Sequence, residues 1–294
     1  MKHTHIQFNE LLNHMIKQKI SDCHFNFSKS KQTVTLRRHK KRIEGDTNEW
    51  GLKVFDFLKF KSKLDLNINE KPQTGVFEYY HDNHVYFCRF ALLESYYRKS
   101  AVLRILNLKH FDSFESLTKG QLTMQTLQKI QHGIILFCGI TGSGKSTTQF
   151  YFLKSLKEKQ CYIIENPIEI VDEQLTQIDL QTQSLSIDEI VSQLLRHDPD
   201  VISLGEVRSS HELGSLIRAG LSGHMVTTTL HSGSIEQTIA RLLDLGAKPY
   251  EIEHVLQAIV FQTLTINQKG EVIVDFKVYR QKEIKQKLQS KGFI

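Results

Sequence analysis

The chain has 294 residues, of which 40% are hydrophobic and 24% are charged, a balance that excludes a wholly disordered protein. Lys and Arg exceed Asp and Glu by 38 against 32, a net charge of +6 that is too small to indicate nucleic-acid or lipid binding by itself. No segment reaches the roughly 20 apolar residues of a membrane-spanning helix, and the first ten residues lack a signal-peptide core. We therefore expect a cytoplasmic protein whose contact with a membrane, if any, is peripheral.

The first 110 residues combine helical and strand patterns. Helical spacing of apolar residues or strand composition marks four segments: helices at Asn9 to Ile20 and Leu52 to Leu64, and strands within Thr33 to Arg38 and Val76 to Phe90. The sequence thus predicts a small α+β domain over residues 1–110, with a linker over 111–120. A basic cluster at residues 37–42 fits a solvated strand edge, and a patch for lipid or nucleic acid is the alternative.

Residues 121–294 follow a different pattern, in which short apolar strands alternate with helical stretches. The strands are Ile134–Cys138, Cys161–Ile164, Val201–Leu204 and Met225–Thr229. Strands that are buried on both faces and alternate with helices indicate a mostly parallel sheet, so the predicted class is α/β. A hairpin formed by Thr263–Asn267 and Glu271–Lys277 around Gly270 is expected to extend the sheet, and Gln281–Gln289 predicts a short final helix.

A glycine-rich segment lies between the first of these strands and a helix. It reads Gly139, Ile140, Thr141, Gly142, Ser143, Gly144, Lys145, Ser146, Thr147. This matches the P-loop pattern G-x-x-x-x-G-K-[ST] in its proper context. Glycines let backbone N–H groups surround phosphate oxygens, and the helix N-terminus adds its dipole. Lys145 places a charge on the β- and γ-phosphates, and the Ser146 hydroxyl can bind Mg²⁺.

Acidic residues follow two other strands. Glu206 comes after the strand Val201–Leu204, where a carboxylate can polarise the attacking water; an ordinary glutamate at a helix N-terminus is the alternative. Glu165 and Glu169 follow Cys161–Ile164, and Pro167 between them constrains the loop so that both carboxylates could face one pocket. By itself, this second segment is equally compatible with no role in the site.

Two histidines flank the strand Met225–Thr229. His231 follows its C-terminal end, which in an open α/β sheet is the ligand-binding side, so His231 could donate to the γ-phosphate and sense its loss. A capping or packing histidine is the alternative, and this alternative is stronger for His224.

Together and in this order, the segments resemble the secretion ATPase superfamily, the motor ATPases of type II secretion and type IV pili. That family carries a Walker A motif, an acidic Asp box, an atypical Walker B motif ending in Gly-Glu, and a His box. Here these are Gly139–Ser146, Glu165–Glu169, Asp198–Arg208 and Gly220–His231. In the first domain, Ser21–His24, Lys71–Gly75, Cys88–Phe90 and Val102–Leu106 also resemble family segments.

The resemblance implies a RecA-like P-loop ATPase domain with a smaller N-terminal α+β (PAS-like) domain that acts as a lid. It implies ATP and Mg²⁺ as ligands. The implied catalytic residues are Lys145, Glu165, Glu206, His231, Arg89 and Arg104, and the implied Mg²⁺ ligands are Ser146, Glu165 and Glu206. The two arginines would supply positive charge to the γ-phosphate; Arg98 is a weaker candidate that fits a surface position equally well.

The departures from the family pattern indicate which subfamily this sequence is most similar to. We expect no long N-terminal extension, because the Ser21–His24 segment begins so early. The four cysteines form no C-x-x-C pair, so we expect no zinc. A short, zinc-free form is similar to the ATPases of competence pseudopili in Gram-positive bacteria. Asn166, Ser209 and Thr74 stand where the family usually has aspartate, whereas Lys145 and Glu206 are intact.

The resemblance further implies a hexamer in which ATP hydrolysis rotates the two domains against each other. Its output would be force on a polytopic inner-membrane platform protein, with the ATPase bound peripherally at the inner face of the membrane and no direct contact with nucleic acid. A retraction or type II secretion motor is the alternative within the family. Outside it, a nucleotide-gated scaffold with little turnover and a nucleic-acid motor remain open.

Overall fold

The computed structural model describes residues 2–38, 41–66, 71–95, 97–106, 108, 124–168, 170–180, 184–266 and 272–293. The chain divides into two compact units, residues 1–110 and 111–294. The linker predicted over 111–120, the turn around Gly270 and the side chain of Glu169 lie outside the described residues. Among the residues described, no helix combines the length and the apolar composition needed to cross a bilayer.

The first unit is a six-stranded antiparallel sheet with two helices. Its elements are α1 (Lys2–Lys17), β1 (Asp22–Ser28), β2 (Gln32–Arg38), β3 (Lys41–Glu44), α2 (Leu52–Lys61), β4 (Gln73–His81), β5 (His84–Ser95) and β6 (Arg98–Ile105). The strand order is β3-β2-β1-β6-β5-β4. Three buried rings, Phe25 of β1, Phe55 of α2 and Phe90 of β5, meet edge to face with centroids 5.6–6.1 Å apart. The helices therefore pack on one face of the sheet, and its alternate residues point to the other face.

Helix α1 begins at Lys2, earlier than the spacing from Asn9 predicts. Phe8 explains the difference, because this buried ring contacts Phe57, Phe77 and Tyr79 with centroid distances of 5.0–5.9 Å. These contacts come from α2 and β4. The first turns of α1 are thus stabilised by residues distant in the sequence, which a local pattern does not reveal.

The second unit is a seven-stranded, mostly parallel sheet covered by helices. Its elements are α3 (Met124–Gln128), β7 (Gly133–Gly139), α4 (Lys145–Ser155), β8 (Cys161–Glu165), β9 (Thr176–Asp179), α5 (Ile187–Leu194), β10 (Val201–Leu204), α6 (Ser210–Leu221), β11 (Met225–His231), α7 (Ile235–Asp244), α8 (Pro249–Val255), β12 (Leu256–Ile266), β13 (Val272–Arg280) and α9 (Gln281–Ser290). The order is β13-β12-β7-β11-β10-β8-β9.

Every pairing in this sheet is parallel except that of β12 with β13, so the predicted parallel sheet with a C-terminal hairpin is confirmed. Every residue of β7 and β10 is buried. Alternate residues of β7 enter two separate hydrophobic clusters, one with Ile134 and Leu136 and the other with Ile135 and Phe137. Because the strands run the same way, β7, β8, β10 and β11 all end at one edge of the sheet.

A buried hydroxyl in β11 offers a test of the core. Thr228 is fully buried, and its Oγ1 atom has no hydrogen-bond partner; the neighbouring side chains include Leu136, Leu213 and Val255. An unpaired buried hydroxyl costs roughly 1–3 kcal/mol. We therefore expect Thr228→Val to raise the free energy of unfolding by about 1 kcal/mol, or the melting temperature by about 2–4 °C.

The matched control is Thr229→Val, one residue along the same strand. The Thr229 hydroxyl donates to the Gly205 carbonyl oxygen at 2.7 Å, so its loss should lower the melting temperature by a similar amount. A lower melting temperature for Thr228→Val as well would mean that the Thr228 hydroxyl is satisfied in solution. Thermal unfolding followed by circular dichroism measures both variants.

Candidate functional site

The P-loop joins the end of β7 to the start of α4, and a residue of β12 holds it in place. Gln262 is 1% exposed, and its Nε2 atom donates to the Ser143 carbonyl oxygen at 2.5 Å. Gly144 has φ +85°, and a Cβ atom there would lie 2.9 Å from Gln262 Nε2. A Cβ atom at Gly139 would lie 2.5 Å from the Gln262 carbonyl oxygen. Glycine is therefore required at Gly139 by contact with a backbone atom, and it is favoured at Gly144 by the left-handed backbone conformation.

Lys145 is buried at the first turn of α4, with 6% exposure. Its Nζ atom donates to the Ile140 carbonyl oxygen at 3.1 Å and lies 3.5 Å from His231 Nδ1. Burial lowers the pKa of Lys145, and the charges of Glu206 and Cys138 oppose that shift. No salt bridge to Lys145 is present in the described part of the chain. A buried ammonium group with these partners, inside a loop of turned backbone amides, fits the phosphates of a nucleotide.

Ser143 supplies a second sign that the loop fits phosphate. Its Oγ atom is buried and has no hydrogen-bond partner. A buried hydroxyl is normally paired, and a donor left over beside Lys145 is suited to a phosphate oxygen. The loop therefore offers two side-chain donors and its backbone amides to one anionic group.

Glu206 lies two residues beyond the end of β10, between a histidine and an arginine. His231 Nε2 lies 3.6 Å from Glu206 Oε1. Arg208 donates to Glu206 Oε2 from Nε at 3.0 Å and from Nη at 2.8 Å. Since His231 Nδ1 also lies near Lys145, the imidazole bridges the P-loop lysine and Glu206. At the opposite end of β11, His224 Nδ1 lies 3.3 Å from the Ala219 carbonyl oxygen, which gives His224 a local structural contact.

Glu165, Glu206 and Ser146 line one pocket of about 150 Å³, together with Asn166 and Arg208. The structure thus brings the three predicted Mg²⁺ ligands to the same cavity. Gln177 of β9 orients Glu165 by donating from Nε2 to Oε2 at 3.2 Å. One hydroxyl and two carboxylates are oxygen donors of the kind Mg²⁺ prefers, and this ion usually completes its shell with phosphates and water. The residues present therefore fit magnesium, which would neutralise charge on the transferred phosphate.

The cysteines contribute to packing. Each is buried in a different strand, and burial raises the pKa of both Cys138 and Cys161 to about 11. Within the described residues, no group of three or more His, Cys, Asp or Glu side chains is arranged to hold a metal ion.

Arg89 and Arg104 belong to the first unit, where they are directly opposite each other on β5 and β6. Arg104 also faces Asp22 of β1, and its Nε atom donates to Asp22 Oδ1 at 2.5 Å. Asp22 is 3% exposed, so this carboxylate holds Arg104 in a defined orientation. Arg98 starts β6, at the end of the strand away from this pair.

Sequence reasoning missed several residues that support the site. Gln177 and Gln262 act through contacts between separate segments, for which the sequence carries no local signal, whereas Arg208 contacts Glu206 only two residues away. Ser209 does carry one, because Ser209 to Glu212 forms the capping-box pattern S-x-x-E. Its hydroxyl accepts from the Glu212 N–H at 3.3 Å, and the Glu212 carboxylate accepts from the Ser209 N–H at 2.8 Å. The departure from the family at this position therefore preserves a helix cap.

Comparisons with known proteins identify relatives of this chain. A family model described as "Type II/IV secretion system protein" matches residues 2–291. Competence protein ComGA of Bacillus subtilis (strain 168) is 30% identical over 220 residues, which are 72% of this chain and 62% of that protein. Type II secretion system protein E of Klebsiella pneumoniae is 31% identical over 275 residues, 87% of this chain and 53% of the relative. The chain thus spans little more than half the length of these two relatives.

A solved structure of the pilus retraction motor PilT with bound ADP is similar over 96% of this chain and 87% of that one. The TM-score is 0.73 and the sequence identity 23%, so the likeness concerns the fold. The predicted fold class, a RecA-like domain with a smaller N-terminal α+β domain, is confirmed.

Proposed function

Because the chain belongs to the type II/IV secretion system protein family, we propose that it is an ATPase that drives assembly of a competence pseudopilus for DNA uptake. The observation that carries ATP hydrolysis is the pocket lined by Ser146, Glu165 and Glu206 beside the P-loop. The name of the Bacillus subtilis relative, a competence protein, supports the pseudopilus.

In the proposed reaction, the P-loop amides and Lys145 bind the phosphates of ATP. Ser146, Glu165 and Glu206 would hold Mg²⁺, which would neutralise charge on the phosphates, and Glu206 would orient the attacking water and accept its proton. His231, between Lys145 and Glu206, responds to the loss of the γ-phosphate, since both of its ring nitrogens face these two charged groups. Arginine charge directed at the γ-phosphate can accelerate hydrolysis by roughly 10³–10⁵-fold, the role proposed for Arg89 and Arg104.

We further propose a ring of six subunits at the inner face of the cell membrane. ATP hydrolysis would rotate the two units of each subunit against each other, and this rotation would act on a polytopic platform protein. Lifting pilin subunits out of a bilayer requires work, which is the reason an ATPase is needed. The protein would stay in the cytoplasm and bind the membrane through that partner.

A second candidate stays within the same family. Similarity to a type II secretion protein E and to the retraction motor PilT favours secretion or pilus retraction as the alternative output. These outputs share the ATPase site and differ in the machine that it drives. Transformation frequency, protein secretion and pilus retraction in a strain that lacks the protein separate the three.

Phosphate release from the purified chain tests whether the protein hydrolyses ATP, on which the rest of the proposal depends. We expect steady turnover of Mg-ATP, with a rate per subunit that rises with protein concentration as rings form. EDTA should abolish this turnover, and single- or double-stranded DNA should leave it unchanged. Absence of turnover at every concentration would favour a nucleotide-gated scaffold. A strong rise in turnover with DNA would favour a nucleic-acid motor and contradict the pseudopilus proposal.

A further inference from the structure

Gln149 is a buried polar residue of the P-loop helix α4, with 3% exposure. Its Nε2 atom lies within hydrogen-bond distance of three acceptors: Ser203 Oγ at 2.9 Å, the Leu204 carbonyl oxygen at 3.1 Å and Thr227 Oγ1 at 3.2 Å. The Thr227 hydroxyl in turn donates to Ser203 Oγ at 2.9 Å. One amide group therefore connects α4 to β10 and β11 through a shared set of hydrogen bonds.

Each of the three elements carries a residue of the candidate site. Gln149 lies one turn beyond Lys145, on the same face of α4. Leu204 ends β10 two residues before Glu206, and Thr227 lies on β11, the strand that ends at His231. The Gln149 amide therefore connects α4, β10 and β11, the three elements that carry or lead to Lys145, Glu206 and His231.

Thr229 continues this connection on both sides of Glu206. Its hydroxyl donates to the Gly205 carbonyl oxygen at 2.7 Å, and its own carbonyl oxygen accepts from the Val207 N–H at 3.2 Å. The backbone around Glu206 is thus fixed to β11. Gln149 then fixes β10 and β11 to α4, the helix that carries Lys145 and Ser146.

We propose that Gln149 is a positioning residue for ATP hydrolysis, whose side-chain amide sets the distance between the phosphate-binding helix and the Glu206 carboxylate. The inference rests on the proposed ATPase function and adds a residue that does not touch the nucleotide. Misplacing a reacting group by about 1 Å can cost roughly 10²-fold in rate. A leucine at this position would fill similar space but leave the Leu204 carbonyl and both hydroxyls without their shared donor.

The first test is Gln149→Leu, with steady-state kinetics and ADP affinity measured well below the melting temperature of each variant. We expect kcat to fall by roughly 10–100-fold, while the KM for ATP and the Kd for ADP stay within about twofold, because the phosphate-binding groups are unchanged. Gln128→Leu is the matched control: Gln128 Nε2 donates to Ser155 Oγ at 3.1 Å, away from the site. We expect its kcat to equal that of the wild type. Equal kcat for both variants would overturn the proposal.

A triple variant separates positioning from folding. Gln149→Leu with Ser203→Ala and Thr227→Val removes every side-chain partner at once, which should restore much of the stability lost in the single variant. The hydrogen bond from Gln149 to the Leu204 carbonyl oxygen is still missing in this variant. We therefore expect kcat to remain low. Recovery of kcat together with stability would mean that Gln149 only fills the core, which would overturn the proposal.

Hydrogen exchange distinguishes failure of this inference from failure of the ATPase proposal, because it needs no turnover. In Gln149→Leu, amides of the segment Gly205–Arg208 should exchange faster than in the wild type and in Gln128→Leu. Unchanged exchange there overturns the positioning role whether or not the wild type hydrolyses ATP. Faster exchange in a protein without turnover would show that Gln149 fixes the Gly205–Arg208 segment and would reject the ATPase function on which its role in hydrolysis depends.

Discussion

Replacing Glu206 by glutamine is expected to lower kcat for ATP hydrolysis by about 10²–10⁴-fold, the usual contribution of a positioned general base. Glutamine keeps the size of the side chain and can still accept hydrogen bonds from Arg208, so the local packing should persist. It cannot take a proton from water. ADP affinity should therefore change little, and single-turnover phosphate release together with ADP titration separates the two effects.

Glu189→Gln is the matched control for this substitution. The Glu189 carboxylate caps α5 by accepting from the Ser186 N–H at 2.8 Å, and it is exposed on another helix. Its kcat should match that of the wild type. If Glu206→Gln retained wild-type kcat, the base would have to be another carboxylate of the pocket, and Glu165 would be the next residue to replace.

The P-loop and the parallel strands beside it could be predicted because the sequence patterns that indicate them are local. The P-loop is one continuous segment, and a strand that is buried on both faces appears in the sequence as an uninterrupted apolar run. Parallel strands then bring their carboxyl ends together, which is why Glu165, Glu206 and His231 meet although they are far apart in the sequence. The edge strand β9 is only half-buried and carries no apolar run, so it was not predicted.

In the first unit, β1 was missed despite a usable signal. Its segment Asp22–Ser28 alternates polar and apolar residues, and the structure buries Cys23, Phe25 and Phe27 on one face. The pairing of this strand carries no such signal: only the structure shows that Asp22 contacts Arg104 of β6 and orients its side chain.

The supports of the site could not be predicted, because they depend on which buried polar groups meet. Gln149 and Gln262 look alike in sequence, since each lies between a threonine and a phenylalanine. Gln149 donates to β10 and β11, whereas Gln262 donates to the P-loop. These different partners are set by the arrangement of α4, β10, β11 and β12. Burial of a polar amide is unfavourable without partners, so such residues mark places where the fold supplies them.

Replacing Lys145 by methionine is expected to have opposite effects on stability and on nucleotide binding. Methionine fills the buried space without a charge. Burial lowers the pKa of Lys145, so the folded chain holds this proton less tightly than the unfolded chain, and the charged amine costs stability at neutral pH. Lys145→Met should therefore raise the melting temperature of the nucleotide-free protein. The gain should shrink as the pH rises through the lowered pKa, because the amine then loses its charge in the folded wild type as well.

The same substitution should weaken ADP binding by roughly 10–100-fold, the equivalent of one charge-assisted hydrogen bond of about 1.5–3 kcal/mol, and should abolish measurable turnover. The rise in melting temperature that saturating ADP gives the wild type should then be smaller in Lys145→Met at the same ADP concentration. Lys154→Met on the same helix is the control, since Lys154 pairs with Asp172 at the surface and its loss should leave the ADP effect intact. A lower melting temperature with full ADP stabilisation in Lys145→Met would make Lys145 a structural residue. The combination expected here, a more stable protein that binds ADP roughly 10–100-fold more weakly, would mean that the buried charge of Lys145 serves an anionic ligand and not the stability of the nucleotide-free fold.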